Sequence, residues 1–221
     1  MPSRGTVFGW VLTRASSEAL PPRMRIIGGV HRSRLLRSPK GVSTRPTSDR
    51  VREAMFSILD SHRTLEGARV LDLYAGTGAL GLEALSRGAR WVTFVECSRS
   101  ALDALRANVG ALGVEQQVRI LPALAERSAD TVVRDAPFDF ILADPPYALV
   151  RNGEVAETLG ELVRKSVLTS GTRVVLEHGK GDVSPSIDGL SLSEARRYGD
   201  TMLAFYASTD SEAETAGDDK R

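Results

Sequence analysis

The sequence predicts an α/β fold: a doubly wound, mostly parallel sheet of seven strands ending in an antiparallel C-terminal hairpin, with a small β-hairpin on the N-terminal side. Three observations predict it. From residue 69 onward, short apolar runs alternate with segments of helical period, the pattern of a parallel sheet with helical crossovers. A glycine turn, Gly76-Thr77-Gly78, follows the first of these runs directly. The last two runs are separated only by Tyr198-Gly199-Asp200, too short for a crossover and suited to a hairpin.

The elements follow in order. Residues 1–23 match no element. Their apolar run Val7–Leu12 is too short for a secretory core, and Pro21-Pro22 closes the segment. We expect a poorly ordered extension there. Residues 24–46 read as a basic hairpin and loop, with Ile26-Ile27, Val30 and Leu35-Leu36 around Gly28-Gly29. The main domain spans 47–207. Thr47 or Ser48 caps a helix over 49–60, whose Val51, Ala54, Met55, Ile58 and Leu59 share one face. Strands are expected at Val70–Leu73, Trp91–Val95, Val118–Leu121, Phe138–Ala143, Arg173–Glu177, Leu190–Arg197 and Thr201–Ala207. Helices are expected at 79–87, 99–112 and 153–166, with a short turn near 123–130. Residues 208–221 are acidic and aperiodic, and read as a disordered tail.

Composition bounds the function. Of 221 residues, 42% are hydrophobic and 26% charged, enough for a sizeable core. No apolar run reaches the length of a transmembrane helix. A single cysteine, Cys97, excludes an internal disulfide and a cysteine-based zinc site, and the three histidines have no ligand-like spacing, so no metal site is expected. A reducing, cytoplasmic compartment is the default. The net charge of +1 hides an asymmetry: residues 1–52 carry +9 and the remainder −8. A basic arm on an acidic body points to a polyanionic partner. Arginine outnumbers lysine 25 to 4, which suits bidentate phosphate contacts.

Two motifs carry chemistry. Val70–Leu73 runs into Tyr74-Ala75-Gly76-Thr77-Gly78-Ala79-Leu80-Gly81, a glycine turn between a strand and a helix. Such a turn lets the backbone approach a ligand, and Gly76-x-Gly78-x-x-Gly81 fits the dinucleotide fingerprint. The same glycines also allow tight strand-to-helix packing. Glu96 ends the second strand 18 residues after Gly78, where an acid accepts hydrogen bonds from ribose hydroxyls. Cys97 beside it reads as pocket lining.

Asp144-Pro145-Pro146-Tyr147 follows the buried strand Phe138–Ala143. By composition this tetrapeptide arises in a chain of this length on the order of once in a thousand. In a doubly wound sheet, strands one and four are neighbours where strand order reverses, and ligands bind beyond their carboxyl ends. The two motifs, 68 residues apart from Gly76 to Asp144, would then face one cleft. The chemistry suits methylation of an exocyclic amine on a base. The Asp144 carboxylate and the Pro145 carbonyl can accept the amine hydrogens and favour a pyramidal nitrogen with an available lone pair. Tyr147 offers a stacking face for an extruded base.

These motifs resemble those of S-adenosylmethionine-dependent amino-methyltransferases. Arg25-Ile26-Ile27-Gly28-Gly29 and Thr44-Arg45-Pro46-Thr47-Ser48-Asp49-Arg50-Val51-Arg52-Glu53-Ala54 narrow the resemblance. Over roughly residues 24–207 the chain resembles the bacterial 16S rRNA guanine-N2 methyltransferase family that modifies guanine 966 of the small subunit. The resemblance implies a Rossmann-like methyltransferase fold and S-adenosyl-L-methionine as cofactor. It implies that Asp72, Tyr74, Ala75, Gly76 and Gly78 cradle the methionine end, with Arg45, Pro46 and Thr47 closing over it. It implies that Glu96 holds the ribose, and that Asp144, Pro145 and Tyr147 hold the target base. Where family members often carry a polar residue near the adenine, Ala123-Leu124 stand here. The implied partner is 16S rRNA within the 30S subunit or an assembly intermediate, with no membrane and no obligate protein partner.

Other readings explain less. A nicotinamide dehydrogenase shares the glycines and the acid but gives no reason for Asp144–Tyr147. A DNA amino-methyltransferase acting on adenine N6 or cytosine N4 shares the catalytic motifs but usually needs a larger target-recognition segment. A cytosine-C5 enzyme needs a cysteine nucleophile in the cleft, and Cys97 follows strand two on the ribose side. A non-catalytic RNA-binding module explains the basic arm but not an intact cofactor cleft.

Overall fold

The computed structural model describes residues 24–39 and 49–208. Helix α1 is Asp49–His62, followed by β1 (Arg69–Leu73), α2 (Ala79–Ser86), β2 (Trp91–Glu96), α3 (Arg99–Leu112) and β3 (Val118–Pro122). Then come α4 (Ala129–Val132), β4 (Phe138–Ala143), α5 (Tyr147–Arg151), α6 (Glu154–Arg164), β5 (Leu168–Gly179), β6 (Leu190–Tyr198) and β7 (Thr201–Ser208).

The seven strands form one sheet in the order β3-β2-β1-β4-β5-β7-β6. The first five are mutually parallel, and β7 runs antiparallel between β5 and β6. Strands β1 and β4 are neighbours at the reversal of strand order, as expected. Their register pairs Leu73 with Ala143, and Leu73 also pairs with Val95 of β2. The carboxyl ends of β1, β2 and β4 therefore finish side by side, and the loops leaving them share one edge.

Side chains alternate between two cores because the strand period is two. Val70, Phe94, Phe140, Leu142 and Val175 face α1, α2 and α3. Leu71, Leu73, Val95, Ile141, Val174 and Leu176 face α4, α5 and α6. Burial on both faces explains the near-continuous apolar runs of β1 and β4.

The N-terminal segment is tighter and less sheet-like than expected. Residues 24–36 make one antiparallel bridge, Arg25 to Leu35, in place of a two-stranded ladder. Ile26 and Leu36 are buried in the α1 core. The carboxylate of Glu83 on α2, fully buried, accepts the N–H groups of Ile27 at 2.7 Å and Gly28 at 2.8 Å, and that of Arg87 Nε at 2.8 Å. Gly29, at φ +74°, lies where a Cβ would meet the Ser86 carbonyl oxygen at 1.6 Å. This segment is part of the domain core rather than a free arm. Other boundaries differ as well. Ser208 is the last residue of β7 and is buried, so it belongs to the domain and not to the tail. Strand β5 starts at Leu168, five residues before its apolar run, and helix α5 begins at Tyr147 itself. Residues 1–23, 40–48 and 209–221 lie outside the described residues.

Candidate active site

A cavity of about 1210 Å³ opens at the carboxyl edge of the sheet. Strand β1 supplies Asp72 and the loop after it Tyr74 to Thr77, the end of β2 supplies Glu96 with Cys97 just beyond, and the segment after β4 supplies Asp144 to Pro146 and Tyr147 at the start of α5. The two sequence motifs thus meet in one cleft.

The glycine loop is fixed from below and from the side. Gly76 (φ 55°) and Gly78 (φ 82°) both adopt left-handed backbone. A Cβ on Gly76 would meet nothing within 4 Å, whereas one on Gly78 would approach Leu105 Cδ1 at 2.3 Å. Gly78 thus packs closely against Leu105 of α3. Asp72, buried beneath the loop, accepts the Gly81 N–H at 2.8 Å with Oδ2. That places a carboxyl at the N-terminal turn of α2, whose flanking residue Gly78 makes no side-chain cap. Burial, reinforced by the nearby carboxylates of Asp144 and Glu96, pushes the Asp72 carboxyl up to about 8 against the Gly81 bond. Tyr74 is held at φ 59°, and its hydroxyl donates to Glu126 Oε1 at 3.0 Å. Burial pushes the Tyr74 phenol upward, and Glu126 adds to the shift.

Glu96 joins β2 to this loop. Its Oε2 accepts the Gly76 N–H at 2.7 Å, and its Oε1 accepts those of Cys97 at 2.9 Å and Ser98 at 2.6 Å. A carboxylate has about four lone-pair sites, so one acceptor direction on Oε2 is left for a hydroxyl of the ligand. Cys97 is exposed and lines the cavity, and partial burial with Glu96 beside it pushes its thiol upward. That is the environment of an inert cysteine. Ala123 and Leu124 form the neighbouring wall, and the Ala123 N–H is taken by the Glu96 carbonyl at 3.0 Å. The wall is apolar, as the side chains require.

Asp144 and Pro145 follow the last residue of β4, and Pro145 is buried while Pro146 is exposed. The Tyr147 ring packs near Gly179, where an added Cβ would lie 3.1 Å from its Cδ2. Its hydroxyl lies 3.4 Å from both Glu177 Oε1 and Thr201 Oγ1. Sequence reasoning misses Glu177, Thr201 and Glu126. Glu177 is within its reach, because it ends an expected strand and strand ends line this edge. Glu126 and Thr201 enter through a turn and a hairpin with no motif. The exposed arginines Arg50, Arg151 and Arg197 line the mouth of the cavity. Arg45, Pro46 and Thr47 lie outside the described residues.

The chemistry of the lining suits S-adenosylmethionine. Glu96 and Asp144 bring carboxyl groups to one cleft, which favours a cationic ligand and disfavours the pyrophosphate of a nicotinamide cofactor. The volume exceeds the range of a single small-ligand pocket, about 300–1,000 Å³, and leaves room for a base beside the cofactor.

Known proteins share this sequence pattern and fold. The conserved hypothetical protein 95 family matches residues 24–207. Ribosomal RNA small subunit methyltransferase D of Escherichia coli (strain K12) is 35% identical over 155 residues, covering 70% of this chain and 74% of that protein. The solved structure of yhhF from Escherichia coli superposes with a TM-score of 0.72 at 32% identity, covering 85% of this chain and 98% of that one. A hypothetical protein of Thermus thermophilus gives 0.68 at 32% identity, covering 82% and 97%. The chain belongs to the conserved hypothetical protein 95 family, alongside the ribosomal RNA small subunit methyltransferases D.

Proposed function

We propose that the protein methylates the exocyclic N2 of a guanine, guanine 966, in 16S rRNA of the 30S subunit or an assembly intermediate. The observation that carries this reading is the shared cleft: Asp144–Tyr147 and the glycine loop line the same cavity. The printed name of the 35% identical relative, a small-subunit ribosomal RNA methyltransferase, supports rRNA as the substrate.

S-adenosylmethionine, the expected cofactor, supplies an electrophilic sulfonium methyl when bound. Glu96 orients the ribose, and Tyr74 to Thr77 wall the methionine end. Asp144 accepts one hydrogen of the guanine amine and the Pro145 carbonyl accepts the other. Those bonds draw the nitrogen lone pair out of the ring and toward the methyl. Asp144 would take the proton the amine loses as its new N–C bond forms and the methyl–sulfur bond of the sulfonium breaks. Tyr147 supports the extruded base from the side. Most of the acceleration comes from positioning and preorganised acceptors rather than covalent catalysis. The arginines at the cavity mouth, with exposed Arg32, Arg34 and Arg37 on the N-terminal segment, suit phosphate contacts.

The test is transfer of a labelled methyl group to small-subunit RNA, followed by digestion and mapping of the modified nucleoside. Label in N2-methylguanosine at position 966 is expected. Label in an adenine or cytosine amine would replace this reading with the DNA-type amino-methyltransferase chemistry.

A further inference from the structure

Three bases carry an exocyclic amine, and they differ at the ring nitrogen beside it. In guanine that nitrogen, N1, bears a hydrogen. In adenine (N1) and cytosine (N3) it bears a lone pair. Asp144 and Pro145 serve any of the three amines, so the choice among them requires a further group reading the neighbouring nitrogen.

Glu177 occupies the place for it. It follows Leu176 of β5, and Leu176 pairs with Ala143, the residue before Asp144. Asp144 and Glu177 therefore each stand one residue beyond this paired position, Asp144 just past the end of β4 and Glu177 within the neighbouring parallel β5. Glu177 is 4% exposed and lines the cavity. Tyr147 and Thr201 place hydroxyls 3.4 Å from its Oε1, which orients the carboxylate. Both hydroxyl residues also line the cavity.

We propose that Glu177 makes the site choose guanine: its carboxylate accepts the N1–H while Asp144 and Pro145 accept the N2 hydrogens. The inference rests on the guanine reading above. An anionic acceptor attracts N1–H and repels the lone pair of adenine or cytosine in the same position, so selection comes from repulsion as well as attraction. A buried polar group left facing a mismatched partner is costly, which is why such contacts discriminate strongly.

The test uses 2-aminopurine, which keeps the N2 amine but carries a lone pair at N1. Small-subunit particles are reconstituted from 16S rRNA with guanine or 2-aminopurine at the methylated position. Initial rates are read for the full-length wild type, Glu177→Gln and Glu177→Leu, with cofactor affinity from calorimetry as the control for folding. The wild type is expected to favour guanine by about 10²-fold. Both variants should bind cofactor normally, lose about 10- to 100-fold on guanine, and bring the ratio to within about threefold of one. If neither binds cofactor, Glu177→Asp is read in their place and should lower the ratio. A wild-type ratio near one overturns the proposal without any variant, as does a variant that binds cofactor and keeps the wild-type ratio. If the wild type leaves guanine N2 unmethylated in these particles, the guanine reading itself fails and takes this inference with it.

Discussion

Glu96 Oε2 accepts the Gly76 N–H at 2.7 Å across 20 residues of chain, so the acid that ends β2 also braces the glycine loop that ends β1. The same carboxylate holds the N–H groups of Cys97 and Ser98 at the start of the next connection. One side chain thereby sets the spacing between the two walls of the cofactor half of the cleft.

Glu96→Ala should therefore weaken S-adenosylmethionine binding by about 1.5–3 kcal/mol, the scale of hydrogen bonds to a charged group. Isothermal calorimetry reads this directly. Unchanged affinity would make Glu96 a brace of the loop and nothing more.

Asp144→Ala should behave in the opposite way. Turnover should fall by roughly 10²–10³-fold, the cost of one preorganised acceptor, while cofactor affinity stays nearly intact. Single-turnover rates with saturating cofactor check it. Near-normal turnover would remove Asp144 from the amine site.

Asp72 gives the ligand-free fold a pH dependence. Its carboxyl is pushed up to about 8 from an ordinary 3.8. Between those values the folded chain holds a proton that the unfolded chain has lost. The contribution of this group therefore falls as pH rises, by up to about 1.4 kcal/mol per pH unit, and levels off above pH 8. Asp72→Asn keeps an acceptor for the Gly81 N–H and removes the charge. Urea unfolding from pH 5 to 9 should show a flatter profile for this variant than for the wild type, with the gap between them widening toward pH 8. Parallel profiles would mean that Asp72 is ionised in the fold throughout.

Phosphate contacts by the N-terminal segment are best tested without deleting it. Removing residues through Lys40 would take away buried Ile26 and Leu36 and strip Glu83 of two backbone partners, so loss of fold would mask loss of binding. Changing Arg32, Arg34 and Arg37 together to Glu touches only exposed side chains. RNA affinity should drop, and the slope of log K against log salt should shrink by about 0.7–0.9 for each phosphate no longer neutralised. Thermal stability and cofactor affinity should hold. An unchanged salt slope would move the RNA surface elsewhere.

Much of this site is legible in the sequence because its chemistry sits at strand ends. Phe138–Ala143 matches β4 residue for residue, and Asp144 stands one residue past it, at the carboxyl edge where strand ends meet the cleft. Glu96 is legible for the same reason. Asp72 reads as a wall of the methionine end; it lines the cavity but also caps α2 through Gly81, a bond that spacing alone does not reveal. Gly78 reads as cradle and serves packing, because the nearness of Leu105 on α3 is a tertiary fact. The start of β5 escapes the sequence because Thr169-Ser170-Gly171 carries no apolar period, and its pairing with β4 shifts register between Phe138 and Phe140. The N-terminal hairpin is less of a ladder than its pattern suggests: Ile26 and Leu36 join the α1 core while Val30 and Leu35 stay exposed, and its backbone donors at Ile27 and Gly28 go to Glu83, not to a partner strand.

In the proposed function one cleft holds a cofactor over β1 and β2 and a presented guanine over β4. Arginine contacts to phosphate position a protein but carry no sequence information directly, so the loop must be offered in a defined shape with the base free to unstack. The most direct measurement is a side-by-side initial-rate assay at fixed ionic strength on three substrates. These are 30S particles from a strain lacking the enzyme, protein-free 16S rRNA and duplex DNA. The highest rate is expected on particles, with the methyl on guanine N2, a much lower rate on naked rRNA, and the lowest on DNA. A rate on naked rRNA equal to that on particles would contradict the presented loop, and a higher rate on DNA would contradict the RNA substrate altogether.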